Sequence, residues 1–250
     1  MFRWLKSLPL ALPLTLALAA FGFVLSGCSS GNQAQVRFVH AIEDATQLDI
    51  DFNGTKEITD IAFLGLQPSS GYLAVPAGSD TITGFPTGST NNQVFSVDNV
   101  NLNSGSQYTV VATGFVANNQ NATILSIPDN NAAPPDGFVE FRVIHASPSG
   151  PGNVDIYIEL NPSTGPLLPV TFSGLAYTQA SSYFRIAFNP NNDPTPPGYT
   201  VYVTTAGSQN PIFSENVSPA NAGAIRTLVL TDVQDGTTMN NSFLELSDLN

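Results

Sequence analysis

Apolar and polar residues alternate in short runs along most of this chain. Val154, Ile156 and Ile158 point one way, while Asp155, Tyr157 and Glu159 point the other. Such runs recur between clusters of Gly, Pro, Asn and Asp, and no long stretch carries apolar residues at helical spacing. Strands are expected near 35–41, 47–53, 58–64, 71–75, 80–85, 93–100 and 107–117. Seven short strands in about 100 residues predict an all-β fold, an immunoglobulin-like sandwich, with a small β-barrel as the alternative.

The pattern occurs twice. Val36-Arg37-Phe38-Val39-His40-Ala41 reappears 105 residues later as Phe141-Arg142-Val143-Ile144-His145-Ala146. Leu48-Asp49-Ile50-Asp51 then matches Val154-Asp155-Ile156-Tyr157, and Phe63-Leu64-Gly65-Leu66 matches Phe172-Ser173-Gly174-Leu175. Tyr72 pairs with Tyr183, and Pro76-Ala77-Gly78 with Pro196-Pro197-Gly198. A period this long is too large for a solenoid and suits two tandem immunoglobulin-like β-sandwich domains, at 35–128 and 138–250. The polar, Pro-rich residues 129–137 between them are expected to be a short semi-rigid linker.

The N-terminus has a different pattern. Arg3 and Lys6 precede an apolar stretch over residues 8–25, and Leu25-Ser26-Gly27-Cys28 closes it. This grammar is that of a secretory signal peptide, and its end resembles a bacterial lipobox. Residues 1–27 are therefore read as a lipoprotein signal peptide and 28–34 as a lipidated tether. The resemblance implies that Cys28, the one cysteine of the chain, carries diacylglycerol and a further acyl chain such as palmitate. Two chains give stable anchoring, each buried methylene adding about 0.8 kcal/mol. Ser29, where enterobacterial lipoproteins kept in the inner membrane carry Asp, points to the outer membrane. Either the periplasmic or the surface face remains open.

Arg-x-x-His-Ala on the first strand, an apolar-Asp-apolar strand, a Gly-Tyr segment and Pro-Ala-Gly together resemble the domain-of-unknown-function 4397 family, as two copies. The first copy departs from the pattern at Ala41-Ile42-Glu43-Asp44, where the second has Ala146-Ser147-Pro148. The resemblance implies a secreted or surface β domain and no established reaction.

Charge narrows the partners. Loss of Arg3 and Lys6 with the leader leaves five basic against 19 acidic residues, a formal charge of −14. Such a body is unsuited to nucleic acid, where phosphate neutralisation dominates affinity, or to anionic headgroups. With one cysteine no internal disulfide can form, so packing alone must hold the exported body together.

His40 and His145 are the only histidines, at matching positions and in register with apolar neighbours, and are read as structural. One histidine per domain falls short of a zinc site, and no nucleophile elbow accompanies either. Arg37 and Arg142 lie on the opposite strand face and are expected to pair with Asp49 and Asp155. Glu43, Asp44, Asp49 and Asp51 form the densest acidic cluster, a Ca²⁺ candidate set against the default of a solvated face. Tyr157 and Tyr202 occupy polar strand faces and are the candidate ligand-binding rings, suited to stacking on sugars. No cofactor motif is found. The expectation is a lipid-anchored, non-enzymatic cell-envelope protein that binds or scaffolds a polysaccharide or another envelope protein. The alternatives are a purely structural spacer and a glycan-acting hydrolase.

Overall fold

The computed structural model describes residues 32–117, 122–160, 169–187, 198–218, 220–235 and 238–248. The leader and Cys28 lie outside these. Seventeen strands, β1 (Gln33–His40), β2 (Leu48–Phe52), β3 (Thr55–Ile61), β4 (Leu66–Gln67), β5 (Leu73–Pro76), β6 (Gly78–Pro86), β7 (Phe95–Leu102), β8 (Gln107–Thr113), β9 (Thr123–Pro128), β10 (Phe138–His145), β11 (Val154–Leu160), β12 (Phe172–Leu175), β13 (Phe184–Ala187), β14 (Tyr199–Thr205), β15 (Pro211–Val217), β16 (Ile225–Asp235) and β17 (Thr238–Ser247), build four sheets. The described residues are all-β and sandwich-built, as the alternation predicts.

Sheet I runs β3-β2-β6-β7, and sheet II runs β4-β1-β8-β9 with β5 also on β1. Sheet III runs β13-β10-β16-β17, and sheet IV runs β12-β11-β14-β15. Sheets I and II enclose a core of Val36, Phe38, Leu48, Ile50, Ile82 and Val110. Sheets III and IV enclose Phe141, Val143, Ile156, Val201, Val203 and Leu228. The strand orders correspond, and in both sandwiches the first strand lies parallel to a late one, β1 with β8 and β10 with β16.

A third apolar cluster joins the two sandwiches. Val39, Ala41 and Val111 of sheet II meet Ile144, Ala146, Val229 and Leu246 on the sheet III side. The four sheets thus stack as I–II–III–IV, and residues 31–250 form one compact unit. This explains why β1 from Val36 onward, β8, β10 and most of β16 are buried almost residue after residue: both their faces are covered. Residues 129–137 cross between sheets II and III with Pro134 buried and Asp129 tied into the interface.

Two strands escaped the alternation. β4 is two residues long, and β9 turns Ile124 to one core and Leu125 and Ile127 to the interface, leaving no polar face. The third strand starts earlier than expected because Asn53-Gly54, at φ of 50° and 77°, makes a two-residue hairpin turn from β2. Register also corrects one motif match. Leu48 faces Ile61 and Val154 faces Leu175, so Ile61 rather than Leu66 is the counterpart of Leu175.

Candidate functional site

The densest polar site is buried between sheets II and III. Arg37 on β1 and Arg142 on β10 project from the face opposite the histidines, as expected. Their partners are not Asp49 and Asp155, which lie on sheets I and IV, the outer pair of the stack. Instead the Arg37 guanidinium pairs with Asp248, and that of Arg142 pairs with Asp129 at 2.6 Å. Each arginine therefore reaches a carboxylate at the far end of the other sandwich. Arg37 also lies 3.5 Å from Asp129, so the four charges form one neutral cluster.

The arginine–carbonyl bonds repeat the same exchange, while the threonine and tyrosine bonds to Asp129 and Asp248 stay within each sandwich. Arg37 Nη1 donates to the Ser247 carbonyl at 3.3 Å, and Arg142 Nη1 to the Pro128 carbonyl at 3.0 Å. Thr109 on β8 accepts from Arg37 Nε and donates to Asp129 at 2.8 Å. Thr227 on β16 accepts from Arg142 Nε and donates to Asp248 at 2.8 Å. Tyr72 lies against the Arg37 guanidinium and donates to Asp129 at 2.8 Å. Tyr183 lies 4.8 Å from the Arg142 guanidinium carbon and donates to Asp248. The side chains of Asp129 and Asp248 are fully buried, and those of Arg37 and Arg142 keep 3% and 2% exposure. Burial alone would lower the Arg37 pKa, but Asp248 and Asp129 more than offset it and raise it. Burial pushes the Tyr183 phenol up to about 12; Arg142 opposes the rise, and Asp248 and Asp129 add to it.

The two aspartates escaped the sequence reading. Their signal is Leu125-x-Ile127-x-Asp129 against Leu244-x-Leu246-x-Asp248, an apolar alternation ending in Asp after the last strand of each sandwich.

Both histidines are fully buried. His40 Nδ1 accepts the Ile42 N–H at 3.2 Å, so Nε2 carries the proton and donates to the Thr46 carbonyl at 3.1 Å. His145 repeats this with the Ser147 N–H and the Gly152 carbonyl. Phe63 and Tyr177 pack edge-on against the two rings. Burial lowers both pKa values, and the carbonyl bonds oppose it only in part. With both nitrogens of each ring bound by backbone, neither imidazole is free to move a proton to a substrate.

Asp49 and Asp155 are clamps on turns. Asp155 accepts from the Gly174 N–H at 2.7 Å, the Gly207 N–H at 2.8 Å and the Ser173 hydroxyl at 3.1 Å. Asp49 accepts from the Asp60 and Gly88 N–H groups and from Lys56. Desolvation works against both carboxylates, yet these donors hold each below the usual carboxylate range.

The calcium candidates are not assembled. Asp44 caps the Val116 and Ala117 N–H groups at 2.7 Å, away from the Asp49 clamp. Glu43 and Asp51 are half-buried. Among the described residues no group of three His, Cys, Asp or Glu is placed to hold a metal ion. Tyr157 also differs from expectation: it is 5% exposed, and its hydroxyl donates to the Ser208 carbonyl, so it offers no open ring face. Its cross-strand neighbour Tyr202 is half-buried. A shallow groove of 420 Å³, lined by Ile158, Leu160, Phe184 and Ile186, opens between β11 and the edge strand β13.

A DUF4397 domain, a domain of unknown function, is found at residues 34–157. The match runs from β1 into β11, so it contains both Arg-x-x-His-Ala segments, Asp129, and both clamp aspartates. No curated protein matches the sequence. Among solved structures the chain is similar to the Bacillus anthracis TIE protein, at 11% identity and a TM-score of 0.26, over 81% of this chain and 34% of that one. It is also similar to a structure described as alpha-glucan binding by a streptococcal virulence factor, at 13% identity and TM-score 0.26, over 85% and 97% of the two chains. A third is the family 26 carbohydrate-binding module of Eubacterium rectale Amy13K in complex with maltoheptaose, at 8% identity and TM-score 0.26, over 84% and 97%. The chain spans about a third of the first and nearly all of the other two.

Proposed function

We propose that this chain is a lipid-anchored, non-enzymatic protein of the bacterial cell envelope, presenting two DUF4397 sandwiches as a rigid body for binding or scaffolding outside the cytoplasm. The second sandwich is read as a further copy of the family's domain. The shared strand order supports this, as do the equivalent histidine, clamp aspartate and Arg–Thr–Asp–Tyr set.

One observation carries the non-enzymatic reading. The buried histidines, arginines and clamp aspartates are bound to backbone groups or to one another, so their chemistry serves the fold. Recognition then falls to loop tips and to the acidic outer surface. The anchor rests on Leu25-Ser26-Gly27-Cys28, and the outer-membrane assignment on Ser29. A polysaccharide or another envelope protein is the proposed partner.

A second reading, a purely structural spacer, draws support from the buried bracing, which holds the sandwiches at a fixed distance. Pull-down from solubilised envelopes with the unlipidated body separates the two. Retention of one defined partner supports binding, and failure there and on glycan arrays supports the spacer. For the anchor, Cys28→Ala is expected to abolish palmitate labelling; undiminished labelling refutes it.

A further inference from the structure

The interface between sheets II and III is self-complementary. Each sandwich brings one arginine, one carboxylate, one threonine and one tyrosine to it, and each arginine is neutralised by the other sandwich. The apolar part is matched in the same way: Val39 and Ala41 on β1 correspond to Ile144 and Ala146 on β10. This is the residue-by-residue reciprocity of a two-fold subunit interface, realised inside one chain. Nothing in its chemistry marks a sandwich as belonging to the same chain. The connection between the sandwiches is short, with Asp129 fixed in the cluster and β10 starting at Phe138.

We infer that two copies of this chain pair by exchanging sandwiches, sheet II of each copy docking on sheet III of the other. Residues 130–137 would straighten as the hinge. Every contact across the sheet II–III interface is then remade between copies while each sandwich keeps its own core, so the monomer and the exchanged dimer have nearly the same contact energy. Rising protein concentration favours the dimer by mass action. The partner is a second copy of this chain, and the surface is the face bearing Arg37, Thr109, Asp129, Arg142, Thr227 and Asp248.

Charge reversal tests this directly, on the body from residue 31 onward, which contains all seventeen strands. One variant carries Arg37→Glu and the other Asp248→Lys. Alone, each places like charges together in the cluster. In an exchanged heterodimer, the new carboxylate of the first faces the new ammonium of the second, and the remaining interface is wild type. The expected result is that an equimolar mixture, after joint refolding, doubles in mass by light scattering while each variant alone does not. A mixture that stays monomeric overturns the inference, as does dimerisation of either variant alone, which would place the contact elsewhere. Should either variant fail to fold, wild-type bodies carrying donor and acceptor dyes are refolded together at rising concentration. Energy transfer in a growing dimer fraction supports exchange, and monomers at every concentration overturn it. The body carries no lipid, so neither outcome bears on the anchor.

Discussion

Asp129→Asn removes one charge from the four-charge cluster with almost no change in shape. The carboxylate pairs with Arg142 at 2.6 Å, lies 3.5 Å from Arg37, and accepts from Thr109 and Tyr72. After the change, two guanidinium groups share Asp248 in a site that water does not reach. Removing one member of a buried ion pair costs about 3–5 kcal/mol, because the partner charge stays buried. The asparagine can still accept one or two of these bonds, which favours the lower end, about 3 kcal/mol. That is roughly a hundredfold in the folded-to-unfolded ratio and about 6–12 °C in Tm for a body of this size. The assay is urea unfolding at constant m-value, with calorimetry alongside. The loss is expected to persist at high salt, because the side chains are at most 3% exposed. A loss under about 1 kcal/mol, the value of an exposed pair, refutes the reasoning.

The buried histidines predict acid sensitivity. Each has a folded pKa below its ordinary 6.5, so the unfolded chain binds more protons below that value. Stability is full above about pH 6.5 and falls as pH drops through it; a flat urea midpoint from pH 8 to pH 5 contradicts this. Asp49 and Asp155 are held below their ordinary 3.8, so the stability they add is present above that value and disappears only at lower pH. Asp155→Asn is expected to speed amide exchange at Gly174 and Gly207, the two N–H groups it accepts from, and unchanged protection there counts against the clamp. Gly84→Ala would drive its methyl group into the Phe95 ring on β7, with an expected loss of about 1–3 kcal/mol. Adding Phe95→Leu is expected to recover part of it, and full additivity in urea melts would argue against the clash.

The strands and the structural histidines were legible because alternation reports one buried and one exposed face. Val154, Ile156 and Ile158 are core residues, as read. The same rule made the faces of sheets II and III that meet each other hard to recognise. Val39, Ala41, Ile144 and Ala146 break the alternation, which is itself the mark of a strand buried on both sides. Missing that, the pattern suggests two sandwiches joined only by a linker, with Arg37 paired to the nearest acidic strand in sequence. The true partners, Asp129 and Asp248, follow strands that come last in each sandwich. No local spacing connects Arg37 to a residue 211 positions away. Tyr157 failed for a related reason: its polar strand neighbours, Asp155 and Glu159, are buried as well.

The repetition of Arg37, Thr109 and Asp129 as Arg142, Thr227 and Asp248 explains why the buried polar groups take this form. A sandwich whose outer sheet carried Arg37 and Thr109 alone would bury an uncompensated charge in any face-to-face contact, and that is strongly unfavourable. Placing Asp129 on the same face makes the surface neutral as a whole and complementary to itself, so one set of residues suffices for both partners. The second sandwich repeats the set with Arg142, Thr227 and Asp248, and the cross-pairing of Arg37 with Asp248 and Arg142 with Asp129 follows. Such a contact specifies register as well as partner. Sliding one sheet over the other by a single residue would carry each arginine about 3.3 Å from its carboxylate, out of hydrogen-bond reach. The apolar cluster around Val39 and Ile144 supplies adhesion without that selectivity. The spacing of the two sandwiches is thus set by four charged side chains.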